Sequence, residues 1–449
     1  MQGLFVDRDR ELKALLDEAA APGLRIAIVY GRRRIGKTWL ARMLLRRVNR
    51  GVYVFIPEAE ERLLLRLLRS RLSTLCEGLS GSSWEGLLTG LAECAEQRGE
   101  LLLVIDEFQR LGPGFISHLQ LLADTLPDSP LKLVLLGSAV SVIDRIAGAL
   151  GPLYGRCVLV KLAGFRFLEA FVMLRERLGA SPLQAFETYS VFGGSPYNLS
   201  LVETLDWRRE AKRHIHSVYG RLYEEPLHVL SSETREPGVY ASILEAIARG
   251  RRSFSEIAQV VHRTSLVKYL EVLRNLGIVE RVVPAGENPL RTKKAQYVIG
   301  DPFWDYWFKM VYPRRDEAEL SGEVGLDEEG VRLHMSEWFE RVARELVSRL
   351  YGVKASPWWS REVEIDVIAP TSRGAYVFEI KYREVDSSEA ERLLRSLEAK
   401  TTRLPMKMAG VGLIALRAEH PGGDYIVMGF DELVEAALAK SSVRVERLA

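Results

Sequence analysis

The sequence Gly31-Arg32-Arg33-Arg34-Ile35-Gly36-Lys37-Thr38 decides the fold of this chain. It matches the pattern GxxxxGK[ST] at every fixed position, and it lies between an apolar run at residues 24–30 and a helical pattern at residues 39–47. Glycines let such a loop wrap so that backbone N–H groups point at phosphates, while the lysine reaches the β and γ phosphates and the threonine hydroxyl binds Mg²⁺. The stretch therefore predicts a phosphate-binding loop (P-loop); the alternative is a chance glycine-rich turn.

A second apolar run supplies the acidic partner of this loop. Residues 101–105 are all Leu, Val or Ile, and Asp106 and Glu107 follow them directly. A carboxylate at the tip of a buried strand holds the metal ion through its water shell, and the next carboxylate polarises the attacking water. Ser138 follows the apolar run at residues 131–137, where it is placed to sense the γ-phosphate. We predict ATP hydrolysis with Mg²⁺, because the acidic pair and the strand between the two motifs favour an ATPase over a GTPase, and no guanine-reading motif is visible.

The wider pattern predicts an α/β fold. Apolar runs at 24–30, 52–56, 101–105, 131–137 and 157–162 alternate with amphipathic stretches. Runs that are apolar on both faces are typical of central strands in a parallel sheet covered by helices. We predict a P-loop ATPase domain at residues 1–163, a helical lid at 164–235, a winged-helix domain at 236–312, and a restriction-endonuclease-like α/β domain at 330–449.

Residues 5–192 resemble the archaeal ATPase group within the STAND class of AAA-related P-loop ATPases. The matching segments are residues 6–12, 31–38, 104–109, 137–138 and 152–156. Asp7 stands where family members usually have Gly or Asn, a departure that leaves Arg8 unaffected. The resemblance implies that Arg8 lies near the adenine, that Arg156 senses a phosphate, and that Pro196 packs on the base. A surface ion pair is the alternative for Arg156, and a helix-starting proline is the alternative for Pro196.

The predicted site residues fall into three sets. The ATP-binding set is Arg8, Gly31, Arg32, Arg33, Arg34, Ile35, Gly36, Lys37, Thr38, Trp39, Ser138, Arg156 and Pro196. The catalytic set is Lys37, Asp106 and Glu107, joined by Asp366, Glu379 and Lys381 in the C-terminal domain. The metal ligands are Thr38 and Asp106 at one site, and Glu340, Asp366 and Glu379 at the other.

The middle of the chain predicts a winged helix-turn-helix. Helical patterns at 238–250, 253–261 and 262–276 precede two short strand patterns at 278–284 and 295–299. Residues 249–294 hold ten Lys or Arg against four Asp or Glu, a balance of +6, while the whole chain carries only +2. A basic third helix (Arg263, Lys268, Arg274) and wing (Arg291, Lys293, Lys294) predict contacts to the DNA backbone. A plain interaction module is the alternative.

The acids of the C-terminal domain predict a metal-dependent phosphodiesterase site. Glu379 and Lys381 share one face of a strand, because side chains alternate with a period of two. Asp366 and Glu379 would bind Mg²⁺, Glu340 would complete the site from a helix, and Lys381 would orient a water. Residues 337–430 resemble a domain of unknown function related to PD-(D/E)xK nucleases, although the segment 364–366 replaces the PD prefix. Domains of this fold also occur without catalysis.

Composition indicates the cellular location of the protein and the state of its cysteines. No apolar run is long enough to span a bilayer, and charges at residues 7–10 exclude a signal peptide, so we predict a cytoplasmic protein. Cys76, Cys94 and Cys157 form no CxxC pair and are predicted to be buried thiols in a reducing compartment. Scarce Asn and abundant Arg fit a thermophile or a GC-rich genome.

Two functions follow from these features. The first is an ATP-hydrolysing protein that binds or acts on DNA, with a nuclease domain at its C-terminus. The second is a STAND-type switch that oligomerises on ATP and recruits a partner, with an inactive nuclease-like domain.

Overall fold

A computed structural model describes residues 3–448, apart from residues 74, 78, 80–82, 139, 262–265 and 361. The chain divides into two compact units, Arg8–Ala163 and Gly164–Ala449, the latter joined by Met1–Asp7. Within the described residues, no helix combines the length and apolar character needed to cross a membrane.

The first part of the chain alternates strands and helices. Its elements are β1 (Gly3–Val6), α1 (Asp9–Ala20), β2 (Arg25–Tyr30), α2 (Lys37–Arg46), β3 (Gly51–Phe55), α3 (Glu61–Leu72), α4 (Trp84–Arg98), β4 (Leu101–Asp106), α5 (Gly112–Thr125), β5 (Leu131–Gly137), α6 (Val140–Ala147) and β6 (Val158–Lys161). Strands β2 to β6 form one parallel sheet in the order β3-β4-β5-β2-β6. The predicted parallel sheet is confirmed.

Two of these strands differ from the prediction of central strands. β4 and β5 are buried along their whole length, but β3 and β6 lie at the edges of the sheet. An edge strand has one neighbour, so part of its apolar surface stays in contact with solvent. Phe55 on β3 is 49% exposed and Leu159 on β6 is 44% exposed.

The prediction of three free thiols is wrong. Cys76 and Cys94 form a disulfide, with Cα atoms 5.7 Å apart. Cys76 follows the end of α3 and Cys94 lies within α4, and packing of these segments in the core under the sheet brings the two sulfurs together. Cys157 is a free thiol, and burial raises its pKa to about 11.

The second unit begins with helices and a small sheet. Its helices are α7 (Phe167–Leu178), α8 (Pro182–Phe192), α9 (Pro196–Leu201), α10 (Trp207–Ala211), α11 (Glu225–Glu233), α12 (Pro237–Ala248), α13 (Phe254–Val261) and α14 (Leu266–Asn275); β7 (Val279–Val282), β8 (Gln296–Ile299), α15 (Pro302–Met310) and α16 (Arg315–Ser321) follow. β7 and β8 are antiparallel, with Val279 opposite Ile299. Three helices followed by a strand pair is the predicted order.

The C-terminal part forms a mixed sheet between helices. Its elements are α17 (Glu328–Tyr351), β9 (Ser356–Trp359), β10 (Glu364–Thr371), β11 (Gly374–Val385), α18 (Ser387–Thr401), β12 (Met408–Ala418), β13 (Ile426–Gly429), α19 (Phe430–Ala439) and β14 (Val445–Leu448). The sheet order is β13-β12-β11-β10-β9, with β11, β12 and β13 parallel and the other pairs antiparallel. Separately, β14 pairs with β1, which was not predicted.

Candidate functional site

The loop between β2 and α2 has a conformation that needs its glycines. Gly31 and Gly36 adopt φ values of +148° and +97°, and a Cβ at Gly31 would lie 2.3 Å from the carbonyl oxygen of Leu162. Positive φ is strained for residues with a Cβ, so these positions favour glycine. Arg34, at φ +67°, is a non-glycine residue in the left-handed region. Backbone curvature of this kind forms a cradle at the amino terminus of α2.

Lys37 is held inside this cradle. Its Nζ donates to the carbonyl oxygens of Gly31 at 2.7 Å and Arg32 at 2.8 Å, and the residue is 7% exposed. The ammonium group therefore lies where the loop curls and where the positive end of the α2 dipole points. This is the arrangement that binds phosphate oxygens.

Asp106 is fixed at the end of β4 by three donors. Its Oδ2 accepts from Thr38 Oγ1 at 3.0 Å and from Tyr53 Oη at 2.6 Å, and its Oδ1 accepts from the Glu107 N–H at 2.9 Å. The threonine and aspartate are therefore adjacent, and their binding of Mg²⁺ stays a prediction. Burial and the hydrogen bond to Asp106 raise the pKa of Tyr53, so its hydroxyl remains a donor at neutral pH.

Tyr53 is not among the predicted site residues. It lies on β3 opposite Val104, two residues before the aspartate, and only the strand register brings its hydroxyl to Asp106. A hydroxyl-bearing side chain inside the otherwise apolar run 52–56 was the one available signal.

Thr38 and Asp106 fit a Mg²⁺ site of the P-loop type. Such a site takes one hydroxyl, one carboxylate acting through water, and phosphate oxygens, so it needs no cluster of acids. Across the part of the chain that the structure describes, no group of three or more His, Cys, Asp or Glu is arranged to hold a metal ion. That finding is compatible with this site.

Glu107 and Ser138 are brought together, and Gln109 joins them. Glu107 Oε2 accepts from Gln109 Nε2 at 2.6 Å and from Ser138 Oγ at 3.3 Å. Glu107 has a φ of +58°, which turns its side chain at the strand end. Gln109 was not predicted as a site residue, although it belongs to the motif at residues 104–109.

The remaining residues of the loop differ in exposure. Ile35 and Arg32 are buried, at 2% and 9% exposure, whereas Arg33 and Arg34 are exposed. Trp39, in the first turn of α2, is 41% exposed, and the Arg42 guanidinium lies 5.4 Å from the centre of its ring.

Arg8 lies close to the P-loop and Arg156 does not. Arg8 Nη2 donates to the carbonyl of Ala163, the residue after Leu162, whose own carbonyl abuts Gly31. Arg156 makes a two-point ion pair with Asp124, at 2.7 and 3.0 Å, two residues before β6 begins. Arg156 thus precedes the amino end of β6, whereas the P-loop follows the carboxyl end of β2, which is parallel to β6. The two segments are therefore at opposite ends of the sheet. The structure thus shows the ion pair for Arg156, and its role as a phosphate sensor stays a prediction.

Pro196 belongs to the other unit. It is the first residue of α9, preceded by Ser195, whose Oγ accepts from the Asn198 N–H at 3.5 Å. This placement is the helix-starting role given above as the alternative. Packing of Pro196 on a nucleobase stays a prediction.

The C-terminal acids do meet, together with two lysines. Glu379 Oε1 accepts from Lys381 Nζ at 2.7 Å, and its Oε2 accepts from Lys400 Nζ at 3.2 Å. Asp366 Oδ2 accepts from the Ile380 N–H at 2.8 Å. Lys400, on α18, was not predicted, because no sequence spacing links it to β11.

Two acids of the C-terminal domain, Glu340 and Asp366, have raised pKa values. Burial and the charge of Asp366 raise the pKa of Glu340, on α17, to about 8. Burial and the charge of Glu379 raise the pKa of Asp366 to about 6. The charge of Asp366 thus acts on Glu340, and the charge of Glu379 acts on Asp366.

These residues do not form a ready metal site. No cluster of three metal-binding side chains exists among the described residues, and both oxygens of Glu379 already accept from lysines. Two partly exposed lysines thus balance the charge of the carboxylate that was predicted to bind Mg²⁺. The predicted ligand set of Glu340, Asp366 and Glu379 therefore stays a prediction.

The basic side chains of the middle region are only partly on one helix. Arg263 lies outside the described residues, while Lys268 and Arg274 are exposed on α14. Between β7 and β8, in the segment predicted to be a wing, Arg291 and Lys293 are exposed, and Lys294 pairs with Glu287 at 2.6 Å.

Comparisons with known proteins agree with this architecture. Residues 23–146 match the family described as AAA domain, and residues 307–393 match the family described as archaeal and bacterial proteins of unknown function. An uncharacterized protein of Methanocaldococcus jannaschii is 29% identical over 427 residues, which are 89% of this chain and 92% of that protein.

Solved structures are similar in fold. The Walker-type ATPase of Pyrococcus abyssi has a TM-score of 0.51 at 22% identity, covering 67% of this chain and 95% of that one. The Orc2 protein of Aeropyrum pernix has a TM-score of 0.45 at 16% identity, covering 70% and 96%. The first likeness shows the fold. Residues 23–146 are thus similar to the AAA domain family within a P-loop ATPase fold, and residues 307–393 are similar to the family of archaeal and bacterial proteins of unknown function.

Proposed function

We propose that the unit Arg8–Ala163 binds and hydrolyses ATP. The supporting observation is the adjacency of Thr38, Asp106 and the buried Lys37 at the P-loop, beside Glu107. When ATP is bound, Mg²⁺ supplies positive charge to the β and γ phosphates. Lys37 exchanges its carbonyl partners for phosphate oxygens, and Glu107 orients the attacking water once Gln109 releases it.

Two variants test this proposal. Lys37→Ala removes the cation inside the loop, so nucleotide binding falls to the level of non-specific association. Glu107→Gln keeps the binding groups but loses the carboxylate, so we expect ATP binding near that of the unaltered chain and turnover reduced by about 10²-fold or more. Calorimetry and phosphate release measure the two quantities. Unreduced turnover in Glu107→Gln would remove Glu107 from the mechanism.

We propose further that the winged helix and the C-terminal domain bind DNA. Supporting observations are the order α12-α13-α14-β7-β8, the exposed cations on α14 and the wing, and the local balance of +6 in a chain of +2. Phosphate contacts from Lys and Arg give affinity that falls with salt.

A metal-dependent nuclease is the second candidate, favoured by one observation. Lys381 donates to Glu379, the charge of Glu379 acts on Asp366 and that of Asp366 on Glu340, and the elements follow the predicted order of helix, strand, strand, helix and strand. A cleavage assay with linear, single-stranded and branched DNA, Mg²⁺ or Mn²⁺, and with or without ATP separates the candidates. Cleavage that disappears in Asp366→Ala supports the nuclease, and a gel shift without cleavage supports a DNA binder.

An ATP-driven switch without DNA is the remaining alternative. If the assay shows no cleavage and no gel shift, the result favours this switch over both DNA functions. Such a switch would also form homo-oligomers on addition of ATP, which light scattering detects.

A further inference from the structure

The wing is attached to the C-terminal sheet domain. Ala285, after β7, donates its N–H to the carbonyl of Pro357 at 2.8 Å and packs against the cluster around Val377 and Leu397. A Cβ at Gly286 would lie 3.7 Å from Met406 Cε, so the loop continues along the same surface. These contacts fix the wing to the domain that carries the candidate acids.

The second strand of the wing is attached through α17. Arg341 donates to the carbonyl of Ile299, the last residue of β8, at 2.6 Å, and its guanidinium also lies 3.5 Å from the carboxylate of Glu280 on β7. Arg341 follows Glu340 directly in the chain. The helix that supplies one candidate acid thus also holds both strands of the wing.

The cluster around Val377 and Leu397, on which Ala285 packs, is formed by the elements that also carry Glu379 and Lys400. Val377 precedes Glu379 by two residues, so both lie on one face of β11, roughly 7 Å apart. Leu397 precedes Lys400 by three residues, so both lie on one side of α18. The contact between Lys400 and Glu379 at 3.2 Å is therefore made by the same two elements, β11 and α18, that supply the buried cluster on which Ala285 packs.

Cations occur along this whole path. Arg291 and Lys293 are exposed on the wing loop, and Lys407, next to Met406, is exposed beside its base. Lys381 and Lys400 follow at the acids, with side chains 28% and 29% exposed. The wing loop itself is braced, because Arg281 donates to the carbonyls of Pro289 at 2.5 Å and Thr292 at 3.3 Å.

We infer that the wing and the lysines of the C-terminal domain form one composite surface for the backbone of a DNA duplex. This inference rests on the proposed DNA function and adds the path of the DNA to it. A polyanion carries phosphates along its whole length, so cations on two fixed, adjoining modules engage one duplex simultaneously. DNA bound by the wing then lies at Glu340, Asp366 and Glu379 without any domain movement.

The test compares charge reversals on the two modules. Fluorescence anisotropy with the full chain and a labelled duplex of about 20 base pairs, two helical turns, is measured from low to moderate salt. Lys293→Glu alters the wing, and Lys407→Glu alters the sheet domain. Lys212→Glu is the control, because Lys212 is 69% exposed and lies in the helical region. Neither Lys293 nor Lys407 belongs to the candidate acid site.

We expect each of the two test variants to weaken binding about tenfold and to lower the salt slope by about one, with the control unchanged. If Lys293→Glu weakens DNA binding and Lys407→Glu does not, the composite surface is overturned, while the proposed DNA function stands. Absence of binding by the unaltered chain would overturn the proposed DNA function and the inference with it. Binding of single strands but not of the duplex would overturn the assignment to a duplex.

Discussion

Tyr53 shows how much of the nucleotide site depends on one hydroxyl. The same Asp106 oxygen accepts from Tyr53 and from Thr38, so the tyrosine fixes the carboxylate rotamer next to the threonine. Residues of this kind act through another group and not on the substrate. We therefore expect a substitution of Tyr53 to change the Mg²⁺ dependence of ATP binding more than it changes phosphate binding itself.

Mg²⁺ is expected to increase the affinity of the chain for ATP. We predict that this increase is about tenfold smaller in Tyr53→Phe, since a hydrogen bond to a charged group contributes about 1.5–3 kcal/mol. Affinity in EDTA should stay unchanged, because Lys37 and the loop are intact. Titrations with and without Mg²⁺ measure the difference. Tyr154→Phe, at a side chain that is 59% exposed, is the matched control. An equal loss in EDTA would point to general damage to the fold.

Glu345, on α17, gives the second unit a pH-dependent stability. Its Oε1 is buried and finds no hydrogen-bond partner in the part of the chain that the structure describes. Burial and the charge of Glu169 raise the pKa of Glu345 to about 8, while Arg166 and Arg349 oppose the shift. The folded chain therefore keeps a proton that the unfolded chain releases above its ordinary pKa near 4.5.

Because the folded state holds more protons, stability from this group is complete below about pH 4.5 and is lost as pH rises through about 8. We predict that Glu345→Gln flattens the fall of the melting temperature between pH 5 and pH 8.5. Glu329→Gln, an exposed position on the same helix, should leave the profile unchanged. An unchanged slope in Glu345→Gln would show that another group carries the pH dependence.

At the scale of elements, the disulfide joins α4 to the segment that follows α3. Its two cysteines are 18 residues apart, and closing a loop of this length stabilises a fold by about 3 kcal/mol. We predict that reduction, or the pair Cys76→Ser and Cys94→Ser, lowers the melting temperature of this unit by about 6–12 °C. Reductant should not lower the melting temperature of the double variant further, and Cys157→Ser is the control. A melting temperature insensitive to reductant would contradict a structural disulfide.

The elements themselves were the most predictable part of the molecule. Strands such as β4 and β5 are buried on both faces, so their local composition is enough to identify them. The P-loop was equally predictable, because its glycines and Lys37 are neighbours in the chain. Tyr53, Lys400 and the cysteine pairing were not, because each contact depends on the register or packing of separate elements. Arg156 illustrates the same limit: its motif is local, but its ion pair with Asp124 is tertiary.

At the scale of the whole molecule, the ends of the second unit are joined by a strand pair. β1 and β14 are antiparallel, with Phe5 opposite Glu446, and the Asp7 N–H donates to the carbonyl of Arg444 at 2.8 Å. Phe5 and Val6 are 7% and 3% exposed. The buried apolar surface of β1 therefore depends on a partner from the other end of the sequence.

We predict that removing residues 444–449 abolishes protection of the β1 amides against hydrogen exchange, since β14 accepts their hydrogen bonds. Amides of β4, in the unit Arg8–Ala163, should keep their protection and act as the internal reference. Retained protection in β1 would mean that its contacts to α7 suffice to order it.

This strand pair also has a consequence for synthesis. β1 leaves the ribosome well before its partner, which begins only at Val445. At about 5–20 residues per second, the nascent β1 waits roughly 20–90 s with its apolar side chains uncovered. The unit Arg8–Ala163 has its whole sequence available long before then. Chaperones that bind short apolar segments can therefore bind β1 during this interval. Their access ends when β14 emerges and pairs with β1.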